Sequence, residues 1–187
     1  MVVEDNTVVG VSISVRSGTH HIMIRNNMVN FEGGEAVKIY GADSQGRVSS
    51  DITIDHNTAV DHQATGKFLD LQGRATALTV TNNLFIAPNL QLGNNAAAPV
   101  YVGMADMSAF RQISGNIWPD AKGLKLTNGG VNYVGTSWGL QTGYKSTTTW
   151  EDFAVVDGDQ FINVNENTLG EMKIGPQTVG STIRLAA

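Results

Sequence analysis

Short apolar alternations separated by turn residues run along most of this chain, and several close on the same corner. An aliphatic residue is followed by two variable positions and then asparagine. The pattern occurs as Val3-Glu4-Asp5-Asn6, Ile24-Arg25-Asn26-Asn27, Ile54-Asp55-His56-Asn57, Val80-Thr81-Asn82-Asn83 and Ile113-Ser114-Gly115-Asn116. Strand-like runs lead into three of these corners, at 21–24, 51–54 and 77–80. Successive corner asparagines lie 21, 30, 26 and 33 residues apart. Recurrence at such intervals predicts stacked repeats, in which each unit buries its apolar face only against its neighbours.

Between the corners the alternation supplies further strands. Val9 to Arg16 reads as one of them, with Val11, Ile13 and Val15 on one face and Ser12, Ser14 and Arg16 on the other. Residues 36–41 place Val37 and Ile39 inward and Lys38 and Tyr40 outward. Residues 67–73 repeat this with Leu69 and Leu71 inward, and Val100-Tyr101-Val102 repeats it again. Leu124 to Leu126 and Val131 to Val134 end the periodic region. The segments 42–50 and 88–99 are insertions.

The shortest repeat, 21 residues, is too short for two strands and a helical crossover. It suits a coil of two or three strands stacked ~4.8 Å from the next. The expected fold is therefore all-β: a right-handed parallel β-helix of about five coils, since parallel crossovers favour that hand. The coils occupy 1–134 and a C-terminal cap or tail 135–187. The chain opens inside a repeat, so coils upstream of Met1 are expected. Thr148-Thr149-Trp150-Glu151 resembles a capping box opening a short helix, and Trp118, Trp138, Trp150 and Phe153 suit a cap core. Trp138 or Tyr144 could serve as a sugar platform. Asn27, Asn57, Asn83 and Asn116 form the structural ladder, each inward amide bonding backbone and the amides above and below.

Composition narrows the function classes. The net charge is −5 with no basic cluster, which argues against a nucleic-acid partner. It also disfavours a polyanionic ligand unless calcium bridges the two. The absence of cysteine excludes disulfides and thiolate metal sites. No signal peptide is visible after Met1, and no apolar stretch is long enough to cross a membrane.

The run Asp51-Ile52-Thr53-Ile54-Asp55-His56-Asn57 and its relatives resemble the repeats of the pectate-lyase-like superfamily of right-handed parallel β-helices. The tail, from Asp159 through Phe161 and Asn163 to Met172–Pro176, is similar to the closing segment of many secreted bacterial members. The resemblance implies an extracellular setting and a polysaccharide partner, met as a monomer or together with upstream coils. It implies a carbohydrate-active enzyme, such as a lyase on an acidic glycan. The alternative is a non-catalytic scaffold, adhesin or fibre-like glycan-binding module, since the superfamily contains both. The Gly-His-Gly and Arg-Ile-Lys signatures of its galacturonan hydrolases are absent, and Thr53-Ile54-Asp55-His56 lacks the tryptophan of the Trp-Ile-Asp-His segment. His20, His21, His56 and His62 have no zinc-type spacing, so no cofactor is called for and only calcium is left open.

Aligning the strands by their inward residues puts Lys38, Asp70 and Tyr101 in one outward row, which is the candidate catalytic set. In a uronan lyase a cation such as Lys38 would stabilise the substrate carboxylate, a base would take the neighbouring proton, and Tyr101 would protonate the leaving oxygen. The same row could equally be a surface salt bridge. Tyr40, Gln72, Arg74 and Lys67 border it as candidate substrate contacts, and both insertions flank it. Two weaker candidates lie elsewhere. Arg25 and Asp55 align one coil apart as an expected ion pair. His56 and His62 flank Asp61, where a general base is weighed against a solvated turn.

Overall fold

In the computed structural model each of the first three turns of chain makes three short strands and three corners, and the next two contribute three strands each. The structure describes residues 1–90, 98–102, 109–118, 125–128, 131–133, 160–161, 173–174 and 177–178. The first turn consists of β1 (Val2–Glu4), β2 (Thr7–Val9) and β3 (Ile13–Val15). The second has β4 (His20–Arg25), β5 (Met28–Phe31) and β6 (Glu35–Ile39). The third has β7 (Ser49–Asp55), β8 (Thr58–Asp61) and β9 (Lys67–Leu71). Next come β10 (Ala75–Thr81), β11 (Leu84–Ile86) and β12 (Ala98–Val102), then β13 (Phe110–Ser114), β14 (Ile117–Trp118) and β15 (Lys125–Asn128). β16 (Val131–Tyr133), β17 (Gln160–Phe161), β18 (Lys173–Ile174) and β19 (Gln177–Thr178) complete the described strands.

The first, second and third strands of successive turns pair into three separate sheets, here A, B and C. Nearly every pairing in them is parallel; β15–β16 is antiparallel, as is the separate β18–β19 hairpin. No helix occurs among the described residues. The all-β, stacked parallel architecture expected from the repeat is therefore present, and it fits a parallel β-helix. The proposed cap helix, with Trp138, Tyr144, Trp150 and Phe153, lies outside the described residues.

Side-chain alternation explains the core. Sheet A turns Ile22, Ile24, Ile52, Ile54, Leu78, Val80 and Ile113 inward, all nearly or fully buried. Sheet C contributes Val37, Ile39, Leu69, Leu71 and Val100. Phe31 and Phe85 stack with ring centroids 6.1 Å apart and Phe68 leans on Phe85 at 6.4 Å. Ala59, in register with Val29 and Phe85, leaves room for these rings on the intervening strand.

At the corner between sheets A and B the asparagines stack as an amide ladder. Asn6 Nδ2 donates to Asn27 Oδ1 at 2.9 Å, Asn27 to Asn57 at 2.9 Å, Asn57 to Asn83 at 3.0 Å and Asn83 to Asn116 at 2.9 Å. Each accepting Oδ1 also takes the backbone N–H of the asparagine below it, at 2.9–3.2 Å. The amides further donate to carbonyls of the preceding coil: Asn57 to Ile24, Asn83 to Ile54 and Asn116 to Val80. Buried corner backbone is thereby satisfied without water.

Two local expectations change. Val9 to Arg16 is not one strand: Gly10 adopts φ 75°, the chain turns between β2 and β3, and Val11 is 62% exposed rather than inward. Glycine tolerates the left-handed conformation that the corner requires, so turn geometry overrides the alternation. The expected two or three strands per coil resolve to three, with sheet B as the layer whose strands the sequence pattern did not delimit. Its strands directly follow the corner asparagines and are short, so their alternation is brief.

Replacing Asn57 by alanine takes the side-chain acceptor from the Asn27 backbone N–H and the amide donor from the Ile24 carbonyl, while Asn27 Nδ2 keeps the Val3 and Arg25 carbonyls. Each unpaired buried polar group costs ~1–3 kcal/mol, so the expected loss is about 3 kcal/mol or more. Asn26→Gly, on the exposed side of the same corner at φ 51°, should change stability by less than about 1 kcal/mol. Urea unfolding of the two variants measures the contrast; equal losses would refute the ladder's role.

Candidate functional site

The outer face of sheet C assembles most of the charged residues singled out by the repeat. Because Val37, Ile39, Leu69, Leu71 and Val100 face the core, their neighbours face out. Lys38 is in register with Asp70, Asp70 with Tyr101, and Tyr101 with Lys125. The expected row is present, and Lys125 extends it by one backbone position. Glu35 and Lys67 form a parallel row beside it.

Charges of opposite sign alternate across this patch. Lys38 Nζ donates to Glu35 Oε1 at 2.8 Å. Lys67 Nζ lies 3.4 Å from Asp70 Oδ2, which also accepts from Gln72 Nε2 at 3.3 Å. Asp70 is 3% exposed although its strand position points outward, and its Oδ1 is buried with no partner. Cations cover the tyrosines: Arg16 sits 4.7 Å and Lys38 5.4 Å from the Tyr40 ring centroid, and Lys67 lies 5.0 Å from that of Tyr101. The hydrogen bond to Glu35 holds the Lys38 pKa above its ordinary value; burial opposes this, and the charge of Glu35, then those of Asp70 and Tyr40, add to it. Lys38 is thus a fixed cation and a poor base. Arg74 is exposed just past β9.

A cleft of about 590 Å³ lies at the sheet B–sheet C corner of the first two turns, between Val9–Ser12 and Asn30–Glu35. Glu35 lines it and also holds Lys38, so the cleft abuts the charged patch. The loop 41–48 runs from sheet C to sheet A and is pinned by Asp43, which accepts from the backbone of Gln45 and Arg47 and pairs with Arg47 Nε at 2.6 Å. Residues 91–97 of the second insertion lie outside the described residues.

The two weaker candidates are arranged differently from expectation. Arg25 and Asp55 are in register, but the short ion pair of Arg25 is to Glu4, at 2.6 Å, on the coil to its other side. His56 is bound to Asp55 rather than set against Asp61: its Nδ1 lies 2.7 Å from Asp55 Oδ2. Asp55 Oδ1 accepts from Thr81 Oγ1 at 2.7 Å and Asn82 Nδ2 at 3.1 Å. Burial pushes the Asp55 pKa up, but these donors and His56 outweigh it and hold the carboxyl below its ordinary range. Sequence reasoning passed over this pair because Asp55-His56 occupies ordinary repeat positions. The adjacency of two titratable residues at a corner was the available signal.

Asp61 is fully buried at the corner between sheets B and C. Its Oδ1 accepts the backbone N–H of Gly33 and of Gln63, both at 3.0 Å, tying two coils together. Its Oδ2 has no partner and lies against Gly66, where an added Cβ would fall 1.8 Å from it. This is a structural clasp, not a solvated turn. Burial raises the Asp61 pKa above 3.8, with Glu32 adding slightly; the Gly33 and Gln63 amides and His62 oppose it.

No family model matches the chain, and no curated protein or solved structure matches it. The fold and the sites thus rest on the chain's own geometry.

The Asp61 clasp has a pH signature. An acid whose folded pKa is raised binds its proton more tightly when folded, so stability falls as pH rises from 3.8 through the folded pKa. Asp61→Asn keeps the Oδ1 acceptor and cannot ionise. Relative to wild type, it should gain stability through that window and keep the gain at pH 7. Urea midpoints from pH 3 to 7 test this; a constant difference across the range would contradict it.

Proposed function

We propose that this chain is a right-handed parallel β-helix of about five coils, closed by the segment 135–187, that engages an extracellular polysaccharide along the outer face of sheet C. The reading rests on one observation: Lys38, Asp70 and Tyr101 stand in register one coil apart, beside Lys67 and Gln72. A row of polar and aromatic side chains at ~4.8 Å spacing along a rigid face suits a linear ligand better than a small one. Tyr40 and Tyr101 offer ring surface, while Gln72 and Arg74 offer donors. As part of a lyase on an acidic glycan, Lys38 would supply the fixed positive charge beside the uronate carboxylate and Tyr101 the proton for the leaving oxygen.

A second reading, a non-catalytic glycan-binding module, is favoured by a specific feature. Lys38 and Lys67 are already neutralised by Glu35 and Asp70, so the patch is electrostatically closed. Such a surface can bind sugar hydroxyls and ring faces without performing chemistry.

A panel of uronans, with and without calcium, separates the two. Turnover gives an unsaturated uronate that absorbs in the ultraviolet, and Tyr101→Phe should reduce it by about 10²-fold or more. Binding in affinity electrophoresis without ultraviolet product, weakened by Tyr101→Ala, supports the module. Neither turnover nor binding on any acidic or neutral glycan would refute both.

A further inference from the structure

The corner between sheets A and B carries a column of outward residues in the left-handed region: Asp5, Asn26, His56, Asn82 and Gly115, with φ between 51° and 67°. Asparagine, aspartate, histidine and glycine are the residues that reach this conformation most readily. Backbone habit therefore suffices to explain the residue type at all five positions. His56 adds a titratable ring, and that ring is oriented.

Its orientation comes from Asp55. The carboxylate is held on one oxygen by Thr81 Oγ1 at 2.7 Å and Asn82 Nδ2 at 3.1 Å, both from the following coil. The other oxygen lies 2.7 Å from His56 Nδ1. A carboxylate locked by two donors from another coil cannot turn away from the imidazole. The His56 and Asp55 side chains are 29% and 28% exposed, so the pair sits at the surface yet is partly shielded from water.

We propose that Asp55 and His56 form a proton-accepting dyad, with Asp55 fixing the imidazole as the Nδ1–H tautomer and His56 Nε2 serving as a general base toward a sugar or polyol hydroxyl. In the step, the substrate O–H proton passes to Nε2. The imidazolium so formed is stabilised by Asp55, the hydroxyl oxygen forms an O–C bond to the carbonyl carbon of an acyl ester co-substrate, and as that ester's C–O bond breaks Nε2 returns the proton to the departing alcohol oxygen. The class of substrate follows from the flanking column, where exposed Asn26 presents an amide and Asp5 a carboxylate with no apolar side chain, a setting that matches hydroxyl-rich ligands. The dyad lies at the corner between sheets A and B, away from the Lys38–Asp70–Tyr101 row on the outer face of sheet C, and does not depend on the role proposed for that row.

The test needs no identified substrate. Long-range proton–nitrogen correlation spectra of the intact chain, recorded where the histidines are neutral, assign the tautomer of each ring. His56 should show the Nδ1–H form, against the Nε2–H form usual for exposed imidazoles. Nε2 is then probed with diethyl pyrocarbonate: it attacks a carbonyl of the reagent, an N–C bond forms, and the ethyl carbonate released decays to ethanol and carbon dioxide. Modification of His56, followed by mass spectrometry, should slow about tenfold in Asp55→Asn while His20 and His21 are unchanged. That is well short of the ~10⁴-fold loss when the equivalent carboxylate is neutralised in a full catalytic triad. An Nε2–H tautomer for His56 in the wild-type protein would overturn the proposal without recourse to any variant. So would an unchanged modification rate in a folded Asp55→Asn.

Discussion

Each described turn must bury the corner between sheets A and B without leaving backbone amides unpaired, and the asparagine ladder meets that constraint. Asn27, Asn57, Asn83 and Asn116 are at most 2% exposed. Each Oδ1 takes two donors from the coil below, and each Nδ2 reaches a carbonyl or the next amide. An alanine at any of these positions would strand several buried groups at once. A longer or charged side chain could not stay in the stack. Hydrophobic burial of Ile24, Ile54 and Val80 supplies driving force, but apolar contacts alone do not select a register. The amides do, because a slip by one residue would turn every asparagine outward.

Register is what gives the outer surface its chemistry. Once the inward rows are pinned, Lys38, Asp70 and Tyr101 fall in line, and Glu35 and Lys67 fall in line beside them. Within β6 and β9 the i,i+3 pairs Glu35–Lys38 and Lys67–Asp70 bring opposite charges to 2.8 and 3.4 Å. The same logic acts at the corner between sheets A and B. There Asp55 is gripped by Thr81 and Asn82 because those residues sit one coil along. At the corner Asp55 is oriented by residues distant in sequence and adjacent in the stack, whereas in the patch Lys38 and Asp70 are each held by a residue three positions away on their own strand.

Legibility in the sequence followed the range of the interactions involved. The ladder and the inward faces of sheets A and C were readable because Ile-x-x-Asn and the Val37/Ile39 and Leu69/Leu71 alternations repeat locally. The row Lys38–Asp70–Tyr101 was readable as a consequence of that register. Its electrostatics were not, since the partners of Lys38 and Asp70 are set by side-chain reach rather than by spacing. Arg25 was aligned correctly with Asp55, yet its short ion pair is with Glu4, because either neighbour in a parallel stack is equally near. Gly10 broke a convincing alternation, and its positive φ is a property of the corner. Asp61 read as a polar turn residue; only the stacking of Gly33 and Gly66 against it reveals a buried clasp.

The dependence of the whole structure on the ladder can be measured through its own protons. Side-chain amide hydrogen exchange distinguishes carboxamides buried in the stack from those on the surface. The Nδ2 protons of Asn27, Asn57 and Asn83 should exchange only by global unfolding, orders of magnitude more slowly than those of the exposed Asn26. Exchange of the ladder amides at the rate of Asn26 would mean that the stack does not hold the coils in register, and would contradict this account at its foundation.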